Sequence, residues 1–108
     1  PSVKETFHPD GKLKSRATHR AKNDGGERHG PYESYYRNGQ LWFKRTYKEG
    51  KIHGVEEEYW RTGALETRKN YIEGKAHGIA EEFLESGELN YSVCYQDGEL
   101  KDFHHCEQ

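Results

Sequence analysis

The dipeptide His-Gly occurs at His29-Gly30, His53-Gly54 and His77-Gly78, so it returns every 24 residues, and the same pattern follows each copy in register. A fixed period of this length means stacked supersecondary units, each unable to bury its apolar face alone and each completed by its neighbours. Three units read out as residues 30–53, 54–77 and 78–101. They share an opening Gly (30, 54, 78), an aromatic (Tyr35, Tyr59, Phe83), a second Gly (39, 63, 87), a Leu (41, 65, 89), a Tyr (47, 71, 95) and a third Gly (50, 74, 98). Residues 7–13 match the middle of a unit, but Gly11 and Gly30 lie four residues farther apart than Gly39 and Gly54. The whole, 1–108, is therefore one repeat domain. It comprises a degenerate first unit over 1–29, with an insertion expected around Asn23-Asp24-Gly25-Gly26, three full units, and a tail over 102–108.

Turn chemistry predicts strands. Pro9-Asp10-Gly11, Arg37-Asn38-Gly39, Arg61-Thr62-Gly63 and Glu85-Ser86-Gly87 separate runs rich in β-branched and aromatic residues, which is a hairpin signal. A two-residue type I′ turn would need positive φ at Thr62 and Ser86, whereas a type I turn followed by a left-handed Gly suits every copy. The three-residue loop pairs Tyr35 with Leu41, Tyr59 with Leu65 and Phe83 with Leu89. A second turn of the same kind is expected at Lys48-Glu49-Gly50, Ile72-Glu73-Gly74 and Gln96-Asp97-Gly98. The predicted fold is all-β, an elongated, twisted antiparallel meander of stacked β-hairpins, two strands per unit and eight or nine in all. Its open edges would fall near Val3–Phe7 and Lys101–Phe103, short charged segments that blunt them. With strict alternation the core face carries Tyr35, Leu41, Phe43, Tyr47, Tyr59, Leu65, Tyr71, Phe83, Leu89, Tyr91, Val93 and Tyr95.

Composition agrees with a thin sheet. Apolar residues make up 31% and charged residues 33%, too little for a deep core, while eight Tyr, four Phe and two Trp can cover a sheet and keep polar edges wet. No apolar run is long enough for a signal peptide or a membrane span, so a soluble, cytoplasmic protein is expected. The chain has no Met, so an initiator before Pro1 has been removed or the chain is a fragment.

The pattern G-x-x-x-x-Y-x-x-x-G-x-L-x-x-x-x-x-Y-x-x-G-x-x-H-G resembles MORN repeats, and within them the longer variant of bacterial proteins labelled YwqK-type antitoxins. The match is close over 30–101 and loose over 7–29. The resemblance implies an elongated, curved sheet of stacked hairpins serving protein contacts and, in some relatives, membrane-lipid contacts. The inserted first copy, Lys101 in place of a His and the missing Gly after it depart from the pattern.

Candidate chemistry is sparse. His29, His53 and His77 would stand roughly 10 Å apart along the sheet, too far to share one metal ion with ligand distances of about 2.0–2.1 Å. They read as turn residues whose nitrogens bond nearby backbone. His104, His105 and Cys106 lack a metal-binding spacing and read as tail, and Cys94 and Cys106 as free thiols. Glu33, Glu57 and Glu81 recur as a repeat position and should pair across strands with Arg45, Lys69 or Lys44, while Glu56-Glu57-Glu58 reads as solvated surface. No phosphate loop, nucleophile elbow or Ser-His-Asp arrangement is visible, so neither an enzyme nor a cofactor is expected.

Function should then lie on the face opposite the core. It is expected to carry Tyr32, Ser34, Tyr36 and Trp42, then Glu56, Glu58, Trp60 and Arg68, then Ala80, Glu82, Leu84 and Cys94. Of these, Tyr32, Tyr36, Trp42, Trp60, Glu56, Glu58, Arg68 and Leu84 are the candidate partner-binding residues, since Tyr and Trp dominate interface hot spots. The leading expectation is a non-catalytic protein-binding scaffold, for instance an antitoxin-like inhibitor acting through this face or a sheet edge, with self-association through the edges also open. A nucleic-acid or membrane-surface partner has only the basic stretch Lys12 to Lys22 in its favour, and a net charge of −2 argues against a phosphate-tracking groove.

Overall fold

The computed structural model describes residues 2–20 and 26–106. Nine strands lie side by side in chain order in one antiparallel sheet: β1 (Ser2–Phe7), β2 (Leu13–His19), β3 (Arg28–Tyr35), β4 (Leu41–Lys48), β6 (Gly54–Tyr59), β7 (Leu65–Ile72), β9 (Gly78–Phe83), β10 (Leu89–Gln96) and β11 (Glu99–Lys101). Two-residue strands β5 (Lys51–Ile52) and β8 (Lys75–Ala76) continue the second hairpins, pairing with β4 and β7. The molecule is a plate of 43 × 36 × 17 Å, whose long dimension is what nine strands spaced by about 4.8 Å require. β1 and β11 form the edges, as expected. The insertion expected around Asn23 falls, apart from Gly26, outside the described residues.

The first turn of each unit is the three-residue loop. The N–H of Tyr36 donates to the Gln40 carbonyl at 2.9 Å, Gly39 sits at φ 89°, and Tyr35 pairs with Leu41, Tyr59 with Leu65 and Phe83 with Leu89. One step further the register slips: Ser34 faces Phe43 rather than Trp42, and Glu58 faces Thr67. This bulge corrects the expected core face, because an extra residue inverts the alternation beyond it. Phe43, Tyr47, Tyr71, Tyr91, Val93 and Tyr95 share the first face with Tyr32, Ser34, Glu56, Glu58, Ala80 and Glu82, which strict alternation had put opposite them. Tyr35, Leu41, Tyr59, Leu65, Phe83 and Leu89 fall on the second face. The first face is the more covered one, with Ala17, Ser34, Phe43, Glu56 and Ala80 buried. On it the ring of Tyr32 meets Phe43 edge-on at 5.5 Å, a contact worth about 0.5–1.5 kcal/mol beyond its area.

The second turn is also a correction. Lys48 pairs with Lys51, Ile72 with Lys75 and Gln96 with Glu99, leaving two-residue loops with positive φ at both positions: Glu49 and Gly50, Glu73 and Gly74, Asp97 and Gly98. That is the type I′ geometry, whose twist matches the flanking strands. Each return strand then breaks at His-Gly. Tyr47 pairs with Ile52, but Phe43 pairs with Glu58, a register two residues longer, and Gly54 takes φ 97° in the break. The recurring dipeptide is thus a bulge signal.

The cysteines are not free. Cys94 and Cys106 form a disulfide, with Cα atoms 6.0 Å apart, and Cys94 is fully buried. Residues expected to be tail instead form a 3₁₀ turn, Phe103–His105, which brings Cys106 back over the second face of β10. Sequence spacing alone could not show this return.

Candidate functional site

Repeats are stitched at three levels, and the stitching fixes which side chains remain available. Turn glycines donate to the preceding unit: Gly50 N–H to Arg28 O, Gly74 to Ile52 O and Gly98 to Ala76 O, at 2.8–2.9 Å. The bulge histidines receive from the following turn, Glu49 N–H to His29 Nδ1 at 3.1 Å and Glu73 N–H to His53 Nδ1 at 3.3 Å. An Nδ1 that accepts carries no proton, so in these bonds the ring hydrogen is on Nε2. His77 Nδ1 is buried without a partner among the described residues.

The third level uses the residue after each recurring aromatic. Tyr36 Oη donates to Tyr59 O at 2.7 Å and Trp60 Nε1 to Phe83 O at 3.3 Å, while His8 Nε2 lies 3.1 Å from Tyr35 O. Leu84 holds the same position in the last unit and is 44% exposed. Of the sequence candidates, Tyr36 and Trp60 therefore spend their polar tips inside the array, although Tyr36 keeps an open ring face.

The other candidates scatter. Tyr32 lies under Arg28, whose guanidinium carbon is 4.3 Å above its ring. Glu56 is buried against Arg45, with Nε 2.8 Å from Oε2, a pairing of charges without an aligned hydrogen bond. This overturns the solvated reading of Glu56. Glu58 shares that face, but Arg68 stands on the other, between Glu57 at 3.2 Å and Glu81 at 3.7 Å. Arg68 belongs to an ionic row across the strands: Glu5–Arg16–Glu33, then Lys44–Glu57–Arg68–Glu81. The recurring Glu thus finds Lys44 as expected, and Arg16 and Arg68 instead of Arg45 and Lys69, which point to the first face. Burial opposes ionisation of Glu57, yet hydrogen bonds from Tyr59 and Arg68 and the charges of Lys44 and Arg68 outweigh it and lower its pKa.

Tyr36 and Trp42 come together, ring centroids 5.8 Å apart, and Trp42 is 41% exposed because the bulge turns it outward beside Phe43. They wall a cavity of about 390 Å³ that His8, Tyr35, Arg37, Asn38 and Arg61 complete. The guanidinium of Arg61 lies 5.7 Å from the Tyr36 centroid. Arg37 and Arg61 were not singled out from the sequence, yet a signal existed: they hold one repeat position, first in the hairpin loop, where the other copies have Pro9 and Glu85. Among the described residues Arg16, Arg20, Arg45 and Arg68 are ion-paired and Arg28 stacks on tyrosines; Arg37 and Arg61 have no carboxylate within ion-pair distance. One unit further along, burial and then the charges of Glu58, Glu82 and Glu85 raise the pKa of Glu66.

No three His, Cys, Asp or Glu side chains among the described residues are grouped to hold a metal ion, and no described helix is long and apolar enough to cross a membrane. The model of one repeat family, described as MORN repeat variant, matches four segments, residues 3–21, 28–49, 52–73 and 76–97. No curated protein and no solved structure matches the chain.

Proposed function

We propose, from the premise that this chain belongs to the MORN repeat variant family, a family of non-catalytic binding repeats, that it is a scaffold that binds another protein through the loop end of its first hairpins. The supporting observation is the half-open Trp42 beside Tyr36, flanked by two guanidiniums that the fold leaves without carboxylates. A large ring held in place by neighbours, next to planar charged forks, is the composition of an interface hot spot. An antitoxin-like inhibitor of a partner protein is the form of scaffold this reading favours, consistent with the resemblance in the repeat pattern. The unpaired edge of β1 offers a second, main-chain contact, to a partner strand or to a second copy.

A buried disulfide at the end of the array supports a compartment that keeps thiols oxidised, in place of the reducing cytoplasm expected from composition. The test uses Trp42→Ala, with Trp60→Ala as the contrast. Trp42→Ala should keep cooperative unfolding and lose the partner in affinity capture, while Trp60→Ala, which breaks an internal hydrogen bond, should lower stability. Capture that survives Trp42→Ala while other proteins in the eluate are unchanged would refute this placement. Retention on single-stranded nucleic acid or co-sedimentation with anionic liposomes would replace the protein partner with one of those surfaces.

A further inference from the structure

The geometry points to an anion-selective pocket at the tips of the first two full hairpins, and we infer that its occupant is an acidic peptide segment with an apolar anchor residue. This rests on the protein-binding reading above and specifies the chemistry of the partner. The pocket has two unlike parts. One wall is apolar, made by the exposed ring of Trp42 and the face of Tyr36. The rim is cationic: Arg37 and Arg61 enter from consecutive loops and line one cavity.

Three observations select the occupant. First, four of the other described arginines, Arg16, Arg20, Arg45 and Arg68, each have a carboxylate partner, whereas Arg37 and Arg61 have none within ion-pair distance and Arg61 meets only the Tyr36 ring, so this pocket presents two positive charges with no matching negative one. Asp10, which feels the charges of Lys12, His8 and Arg37, is an acidic side chain beside the pocket, but its carboxylate already accepts the Lys12 N–H at 3.0 Å. Second, the aromatic wall asks for an apolar side chain next to that charge, which a bare ion cannot supply. Third, the acidic group of Glu58, Glu66, Glu82 and Glu85 borders the same end of the sheet. A long polyanion tracking the array would run along the whole group, whereas a short acidic segment held by Arg37 and Arg61 would border only its Glu58 and Glu66 side, next to Tyr36.

The test is a nuclear magnetic resonance titration of the intact protein with a capped Asp-Phe-Glu tripeptide, following the two indole N–H signals. Trp60 Nε1 is committed to Phe83 O and serves as the internal reference. Saturable displacement of the Trp42 signal with little change at Trp60 is expected. The apparent Kd should rise about tenfold or more in the Arg37→Gln/Arg61→Gln double variant and with added salt, as for solvent-accessible charged hydrogen bonds. Both arginines are exposed in loops, so the double variant should fold, and unchanged chemical-shift dispersion elsewhere verifies this. Capped Asn-Phe-Gln binding equally well would overturn the anionic selectivity. Inorganic phosphate producing the same displacement at the same concentration would overturn the peptide assignment in favour of a simple anion site. No displacement by any probe, with partner capture still dependent on Trp42, would overturn this inference while leaving the scaffold reading intact.

Discussion

Individual residues show how a repeat position acquires a meaning that composition hides. Glu57 and Glu66 are both glutamates on a thin sheet, yet their surroundings push them in opposite directions. For Glu57, burial is outweighed by Tyr59, Arg68 and Lys44, so its pKa lies below the ordinary 4.5. It contributes stability above that value, and the contribution is lost as pH falls through the depressed one. Glu57→Gln should cost about 1 kcal/mol at pH 7, with the gap from the parent closing in acid, as thermal unfolding across pH would show. Glu66 is the reverse case: burial and then Glu58, Glu82 and Glu85 raise it. Its favourable contribution exists below the ordinary value and disappears as pH rises through the raised one. Glu66→Gln should therefore stabilise at pH 7, by about 0.3 kcal/mol given solvent screening; no gain, or a gain that grows in acid, would contradict the assignment. That Glu recurs at 33, 57 and 81 was legible, as was Lys44 as a partner. Which face each charge took was not, because one bulge decides it.

Within each unit the two turns differ, and the difference is physical. Arg37-Asn38-Gly39 needs one positive φ and supplies a Gly for it; Glu49-Gly50 needs two and supplies one. Glu49, Glu73 and Asp97 hold φ of 50°, 47° and 52°, and the N–H of the first two also donates to a histidine of the preceding unit, whereas Asp97 takes the same conformation without that bond. Replacing Glu73 by Asn, which enters the left-handed region more easily, should raise stability by about 0.5–1 kcal/mol. Gly74→Ala, at φ 86°, should lower it by about 1–2 kcal/mol. Chemical denaturation of the two variants is the check, and equal effects would mean the turn is not type I′. The first loop could be read from Thr62 and Ser86, which refuse a type I′ turn. The second was misread because two of its three copies are Glu-Gly, a weak type I′ sequence, although Asp97-Gly98 is a favoured one.

At the scale of the whole molecule, a plate with contacts only between neighbouring units should lose stability locally when an end is loosened. The bridge from Cys94 to Cys106 closes a 12-residue separation at the β11 end, where β11 itself is short and exposed. Cys106→Ser should cost about 2–3 kcal/mol by loop entropy. Amide exchange should quicken in β10 and β11 while β2 to β4 keep their protection. Uniform acceleration along the sheet would show an array that unfolds as one unit. Thiol titration of the denatured, unreduced protein should find no free cysteine among the two.

The sequence by itself determined the period, the strands, the three-residue loops and the order of hairpins, since each rests on φ preferences and spacing within about two dozen residues. Tertiary structure alone decided the faces and the pairing of the cysteines. A bulge shifts alternation by one residue without changing composition, and a disulfide depends on where a chain end returns in space. For the same reason the pocket of Trp42, Arg37 and Arg61 could not be seen from the repeat pattern: its walls come from three units, His8 of the first among them, and meet only when the hairpins are stacked.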